Sequence, residues 1–197
     1  QGDMDGGKTG TGKPCDLSHP LLAAQARVLA DVDPTRRFVP TSSSGPRFSA
    51  TEAEFGQGVH WDTHGPWRAD GDLDGAWTRY WRGDDSLFRS ETGHPGASPV
   101  DILRGYAGDL DPFPPVHANA LWRRTPWWIE DAAFRTENGR DPETLEEYVA
   151  WSQRRQARAL AIAAGACRDR FPRCGGFLVW MGHDCFPCAT NTAILDF

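Results

Sequence analysis

Glu91 closes the heptapeptide Leu87-Phe88-Arg89-Ser90-Glu91-Thr92-Gly93, in which a short apolar run delivers a carboxylate to a turn. A strand that ends in an acid puts the charge at the mouth of a sheet, where α/β proteins bind their substrates. The competing reading is a surface glutamate at a strand end. His60, Trp61 and His64 form a second cluster in Gly58-Val59-His60-Trp61-Asp62-Thr63-His64-Gly65-Pro66-Trp67. A His-x-x-x-His spacing suits a metal on a helix, but Gly65-Pro66 argues against a helix and the zinc-protease glutamate is absent, so hydrogen bonding is preferred. A third segment runs from Cys174 to Pro187, with a strand that ends in Trp180 and the polar pair His183-Asp184.

Alternating strands and helices must carry these residues. Strands are expected at Arg37–Thr41, Gln57–Trp61, Leu87–Glu91 and Gly176–Met181. Ser18 is expected to cap a helix through about Ala30, with Leu21, Leu22, Ala26 and Leu29 on one face. Ser98-Pro99 starts a helix that reaches Tyr106, with Pro at its first position. Asp141-Pro142-Glu143 opens the longest helix, to about Arg170. There Leu145, Tyr148, Ser152, Ala159 and Ala163 share a stripe, and Arg154, Arg155, Arg158 and Arg168 are expected to face water. The segment after Trp61, rich in Trp, Gly and Asp, and the stretch from Phe113 to Pro126 read mostly as loops. Strands alternating with helices point to a parallel sheet.

Composition narrows the function classes. The 197 residues suffice for one domain, and a net charge of −6 argues against a nucleic-acid partner. No apolar run approaches the ~20 residues that cross a bilayer, so no membrane partner is expected. Nine tryptophans suit a carbohydrate site, because aromatic faces stack on sugar C–H surfaces, and they equally suit a large core. Five cysteines at irregular spacing do not suggest a disulfide framework. Cys185-Phe186-Pro187-Cys188 is a single knuckle, whereas structural zinc usually takes two, so no metal is expected. Gly7-Lys8-Thr9 lacks the spacing of a phosphate-binding loop.

Four segments together resemble the catalytic domain of glycoside hydrolase family 2, within it the β-mannosidase-like members. They are Arg37-Phe38-Val39-Pro40-Thr41-Ser42-Ser43-Ser44-Gly45, the His60 segment, Ser90-Glu91-Thr92-Gly93, and Tyr148 to Ala157 followed by the Trp180 strand. The resemblance implies a partial (β/α)₈ TIM barrel, about strands five to eight, over residues 1–197. It implies a retaining exo-β-glycosidase that uses no cofactor, with a β-linked sugar as substrate and Glu91 as the catalytic nucleophile. Retention requires a second carboxylate about 5–5.5 Å away. The family's acid/base follows an asparagine, and no Asn-Glu pair occurs in this sequence. The chain is therefore expected to need the missing N-terminal half of its own barrel and to be inactive alone.

By the same resemblance His60, Trp61 and His64 contact the sugar hydroxyls and the nucleophile. Trp180 forms the floor under the sugar, and Asp184 binds a hydroxyl, although the family has asparagine where this chain has His183. Trp122, Trp127 and Trp128 are open between wall and core. β-Galactosidase, β-glucuronidase and exo-β-glucosaminidase activities remain alternatives, as does a non-catalytic carbohydrate-binding domain.

Overall fold

The computed structural model describes residues 15–195, so Gly7-Lys8-Thr9 lies outside the described residues. These form two compact units. One comprises residues 15–65, Gly83–Glu91 and Arg170–Leu178, and the other Pro66–Arg82, Thr92–Asp169 and residues 179–195. Among the described residues the strands are β1 (Gly45–Pro46), β2 (His60–His64), β3 (Phe88–Thr92), β4 (Gly96–Ala97), β5 (Phe177–Val179) and β6 (Thr190–Asn191). The α-helices are α1 (Pro20–Val32), α2 (Thr78–Gly83), α3 (Val100–Ala107), α4 (Asp131–Asn138) and α5 (Leu145–Asp169).

The first unit is built on a sheet of order β1-β2-β3-β5, in which β2 and β3 run parallel and β1 joins β2 antiparallel. The chain is thus α/β, with a mixed rather than a purely parallel sheet. Arg37–Thr41 forms no strand. β2 starts three residues later than expected and ends at His64, because Gly56 and Gly58 take φ of 80° and 70° and the chain is still turning there. Gly65 then takes φ of 69°, which turns the chain off the sheet; its N–H donates to the Glu91 carbonyl at 2.7 Å. α1 has Pro20 in its first turn, and Ser18 does not cap it: the Ser18 N–H donates to Asp16 Oδ1 at 2.8 Å. No α1 residue is buried, so the stripe through Leu21 and Leu29 packs into no core.

The first unit also holds a buried ionic cluster. The Arg89 guanidinium grips Asp84 with two bonds, at 2.7 and 3.2 Å, and donates to the Gly65 carbonyl at 2.6 Å. Arg170 donates to the same carboxylate at 2.7 Å. Burial pushes the Asp84 carboxyl up, but Arg89 and Arg170 outweigh it and hold it below the ordinary value. Arg89 and Asp84 thereby join the turn after β2 to β3.

In the second unit α5 organises the core. It begins at Leu145 rather than at Asp141, because Thr144 Oγ1 accepts the Glu147 N–H at 3.1 Å and sets the cap. The stripe Leu145, Tyr148, Ser152, Ala159 and Ala163 is buried as its spacing requires. Arg155 was expected in water and is buried instead, since position 155 falls on that stripe, three after Ser152 and four before Ala159. Around α5 pack Leu103, Leu121, Trp122, Ile129 and Phe134. Pro99 occupies the N-cap of α3 rather than its first turn, and Ser98 spends its hydroxyl on the Cys188 carbonyl at 2.6 Å.

Two helical stretches were missed in the sequence. Leu73–Trp77 is a π-helical turn that runs into α2, and its Asp72 cap accepts the Gly75 N–H. α4 ends on Gly139 in the left-handed conformation, a stop signal that was legible in Asn138-Gly139.

Candidate functional site

In the first unit β2 and β3 bring one group of polar side chains together. Their register pairs Thr63 with Arg89 and then His64 with Glu91, so Ser90 is an extra residue in β3. Such an irregularity re-aims side chains. In a regular strand the adjacent residues Ser90 and Glu91 would point to opposite faces. Here they meet two residues of β2 that share a face: the Ser90 hydroxyl donates to Asp62 Oδ1, and Glu91 Oε2 lies 3.7 Å from His64 Nδ1. The Glu91 side chain keeps 24% of its surface in solvent, while that of His64 keeps 7%.

The group extends into the loop after α1. Ser42 Oγ donates to Ser90 Oγ at 2.8 Å and lies 2.7 Å from His64 Nε2. The Ser44 N–H donates to Asp62 Oδ2 at 2.8 Å, and the Phe48 ring meets the His64 ring edge-on at 5.1 Å. Beside these residues a cavity of about 750 Å³ opens, lined among others by Arg37, Ser42, Trp61, Asp62, Ser90 and Leu178. That volume suits a small organic ligand. Trp61 is 57% exposed and bonds through its ring N–H to the Gly58 carbonyl at 3.1 Å, which leaves its face available.

His60 does not join this group. It begins β2 while His64 ends it, about 13 Å away at the usual rise per residue. Its Nδ1 lies 2.6 Å from Asp85 Oδ1, its Nε2 accepts the Thr51 N–H at 3.4 Å, and only 1% of the residue is exposed. Of the two histidines expected beside Glu91, His64 lies there and His60 does not, because the two stand at opposite ends of β2 and His60 turns to Asp85. Ser42 and Ser90 were quoted only as parts of motifs. Their hydroxyls, one residue from Glu91 and in the Ser-Ser-Ser turn, were the available signal.

Trp180 and Asp184 belong to the second unit. The Trp180 N–H donates to the Thr92 carbonyl at 2.6 Å, its side chain stays half-exposed, and a Cβ on Gly93 would fall 2.2 Å from its carbonyl. Only glycine fits after Thr92. Asp184 is buried, and its Oδ1 accepts a bond from Asn191 Nδ2 at 2.7 Å, so its carboxylate is engaged internally. Trp122 is fully buried in the core and donates to the Pro112 carbonyl at 2.7 Å, whereas Trp127 is exposed. No cluster of three or more His, Cys, Asp or Glu able to hold a metal occurs among the described residues. Nor is any described helix long and apolar enough to cross a membrane.

The second unit also holds a His–Glu pair. His94 Nε2 lies 3.7 Å from Glu130 Oε1, with both side chains almost wholly buried. Arg155 donates to Glu130 at 3.3 Å, to Glu137, and to the Gly71 carbonyl at 2.8 Å. Burial pushes the Glu130 carboxyl up to about 7 against the pull of Arg155, and burial drives the His94 imidazole down to about 3. Glu130 borders a smaller cavity of about 320 Å³.

No family model matches the chain, and no curated protein matches it in sequence. Among solved structures it is similar to a β-D-mannosidase from Dictyoglomus thermophilum, with a TM-score of 0.59 and 21% sequence identity. The likeness covers 86% of this chain and 20% of that one, so the present chain spans about one fifth of the mannosidase's length. At this identity what the two share is the fold.

Proposed function

We propose that this chain is the nucleophile-bearing part of a retaining exo-β-glycosidase of the β-mannosidase-like kind. Its strands would form about half of a (β/α)₈ barrel that the rest of the polypeptide completes. Glu91 is the nucleophile. It attacks the anomeric carbon of the terminal sugar, the bond to the leaving oxygen breaks as a separate acid protonates it, and water then hydrolyses the glycosyl ester. His64 holds the carboxylate, and Trp61 offers an exposed aromatic face. The observation that carries the reading is Glu91 itself: a partly exposed carboxylate at the end of a strand that pairs in parallel, beside His64, in a fold shared with a β-mannosidase.

Full-length polypeptide carrying Glu91→Gln keeps the size and hydrogen bonding of the side chain but loses the nucleophilic charge. Turnover of an aryl β-mannoside should fall at least about a thousandfold while binding persists. Glu91→Gly should fall likewise and recover when azide is added, yielding a glycosyl azide of inverted configuration, because one displacement by a small anion replaces two. Retention of most of the parent kcat in Glu91→Gln would defeat the assignment.

A further inference from the structure

The directions of the hydrogen bonds that run from Asp62 to His64 Nε2 follow from the Asp62 end. An ionised carboxylate only accepts. Asp62 Oδ2 takes the Ser44 N–H, and Asp62 Oδ1 takes the Ser90 hydroxyl, which uses the single hydrogen Ser90 has. Ser42 then donates its own hydrogen to Ser90 Oγ at 2.8 Å. With that hydrogen spent, Ser42 Oγ offers only lone pairs to His64 Nε2 at 2.7 Å, so the ring nitrogen must be the donor there.

We propose that Asp62, Ser90 and Ser42 form a one-way relay that fixes a proton on His64 Nε2 and makes Nδ1, which faces Glu91, the only atom of the ring that gains or loses a proton. Neutral His64 then presents a lone pair to Glu91 from 3.7 Å, and charged His64 presents an N–H. Among the groups that act on the ring are Glu91 of β3, Asp62 of its own strand acting through the two serines, and the Ser42 loop. Phe48 covers one edge without adding charge. His64 is a positioning residue for Glu91, and the tautomer it adopts is set two hydroxyls away. The consequence for catalysis rests on Glu91 being the nucleophile, whereas the relay does not.

The test is the ¹⁵N spectrum of the histidine rings in the intact protein, with the His64 signals assigned by their loss in His64→Gln. At a pH where the ring is neutral, Nε2 should show the protonated type of resonance and Nδ1 the unprotonated type. Asp62→Asn should reverse this. An amide can donate to Ser90, which turns each hydroxyl around, makes Ser42 the donor to Nε2 and moves the ring proton to Nδ1. Ser90→Ala interrupts the relay without changing charge and should give a mixture of tautomers. Glu91→Gln should leave Nε2 protonated and lower the titration midpoint of Nδ1, since a neighbouring negative charge is gone. A parent protein with its proton on Nδ1 would overturn the proposal. So would an Asp62→Asn or Ser90→Ala protein, folded by its amide spectrum, that keeps the parent tautomer. None of these readings uses turnover, so loss of the nucleophile assignment and loss of the relay are separate outcomes.

Discussion

Two pairs of the same residue types at the same distance occupy the two units: His64 with Glu91 and His94 with Glu130, each 3.7 Å apart. Glu91 keeps 24% of its side chain in water, and His64 is tied through hydroxyls to residues that line a cavity. Glu130 keeps 2%, at the wall of a smaller cavity, and shares its surroundings with the Arg155 guanidinium. Proximity of an imidazole and a carboxylate therefore does not define a site. What separates the two pairs is their remaining partners, hydroxyls and a carboxylate for one and a guanidinium for the other, and how much of the carboxylate meets water.

The largest effect that would sharpen this contrast is expected from Arg155→Met. It leaves Glu130 and Glu137 without their cation, and breaking a buried ion pair from one side costs about 3–5 kcal/mol. Urea unfolding should report a loss of that size. The same measurement on Arg158→Met, whose Asp74 pair lies on the surface, should change by less than about 1 kcal/mol. Equal losses in the two variants would remove the distinction between core and surface.

A smaller effect concerns pH. His94 binds its proton more weakly when folded, so between about 3 and 6.5 the unfolded chain holds more protons and stability rises with pH. Glu130 behaves oppositely. Its folded value near 7 exceeds the ordinary 4.5, so the folded chain holds more protons across that interval and stability falls as pH rises through it. In the parent protein the two slopes offset each other between about 4.5 and 6.5. Glu130→Gln should expose the His94 slope, with a difference on the order of 2–3 kcal/mol in how stability changes from pH 4.5 to 7. A variant whose pH dependence matched the parent's would show that Glu130 is ionised in the core.

The smallest effect is expected at His60. His60→Gln loses the bond to Asp85 and should destabilise by about 1–2 kcal/mol, read as a lowered urea midpoint. In the full-length protein KM and kcat should stay within about twofold of the parent, the margin left for a residue outside the catalytic contacts. A large rise in KM would place His60 in substrate contact and overturn its separation from the Glu91 group.

Much of the scaffold was legible before any coordinates. The α5 stripe from Leu145 to Ala163 reads directly from period 3.6, and the same arithmetic, applied to position 155, would have placed Arg155 inside. Glu91 at a strand end was readable from its apolar run and the glycine that follows it. The start of β2 was not, because Gly56 and Gly58 were counted into or next to an extended run when their positive φ prolongs the turn. The Leu73–Gly83 helical stretch reads as loop from its Asp, Gly and Trp, and burial of Trp77 and Trp81 overrides those weak preferences.

What the sequence determines by itself is local. It sets which residues follow a helical period, where Gly65 and Gly139 let the chain turn, and that a glutamate stands at a strand end. The tertiary structure alone decides that Ser90 is an extra residue opposite β2. That one-residue shift lets Ser90 and Glu91 address Asp62 and His64 together, and no pattern within β3 announces it, because register is a property of two strands. It also decides which of two similar His–Glu pairs keeps contact with water. Burial and hydrogen-bond direction depend on groups far apart in the chain, and these set whether a carboxylate stays open to solvent or is enclosed.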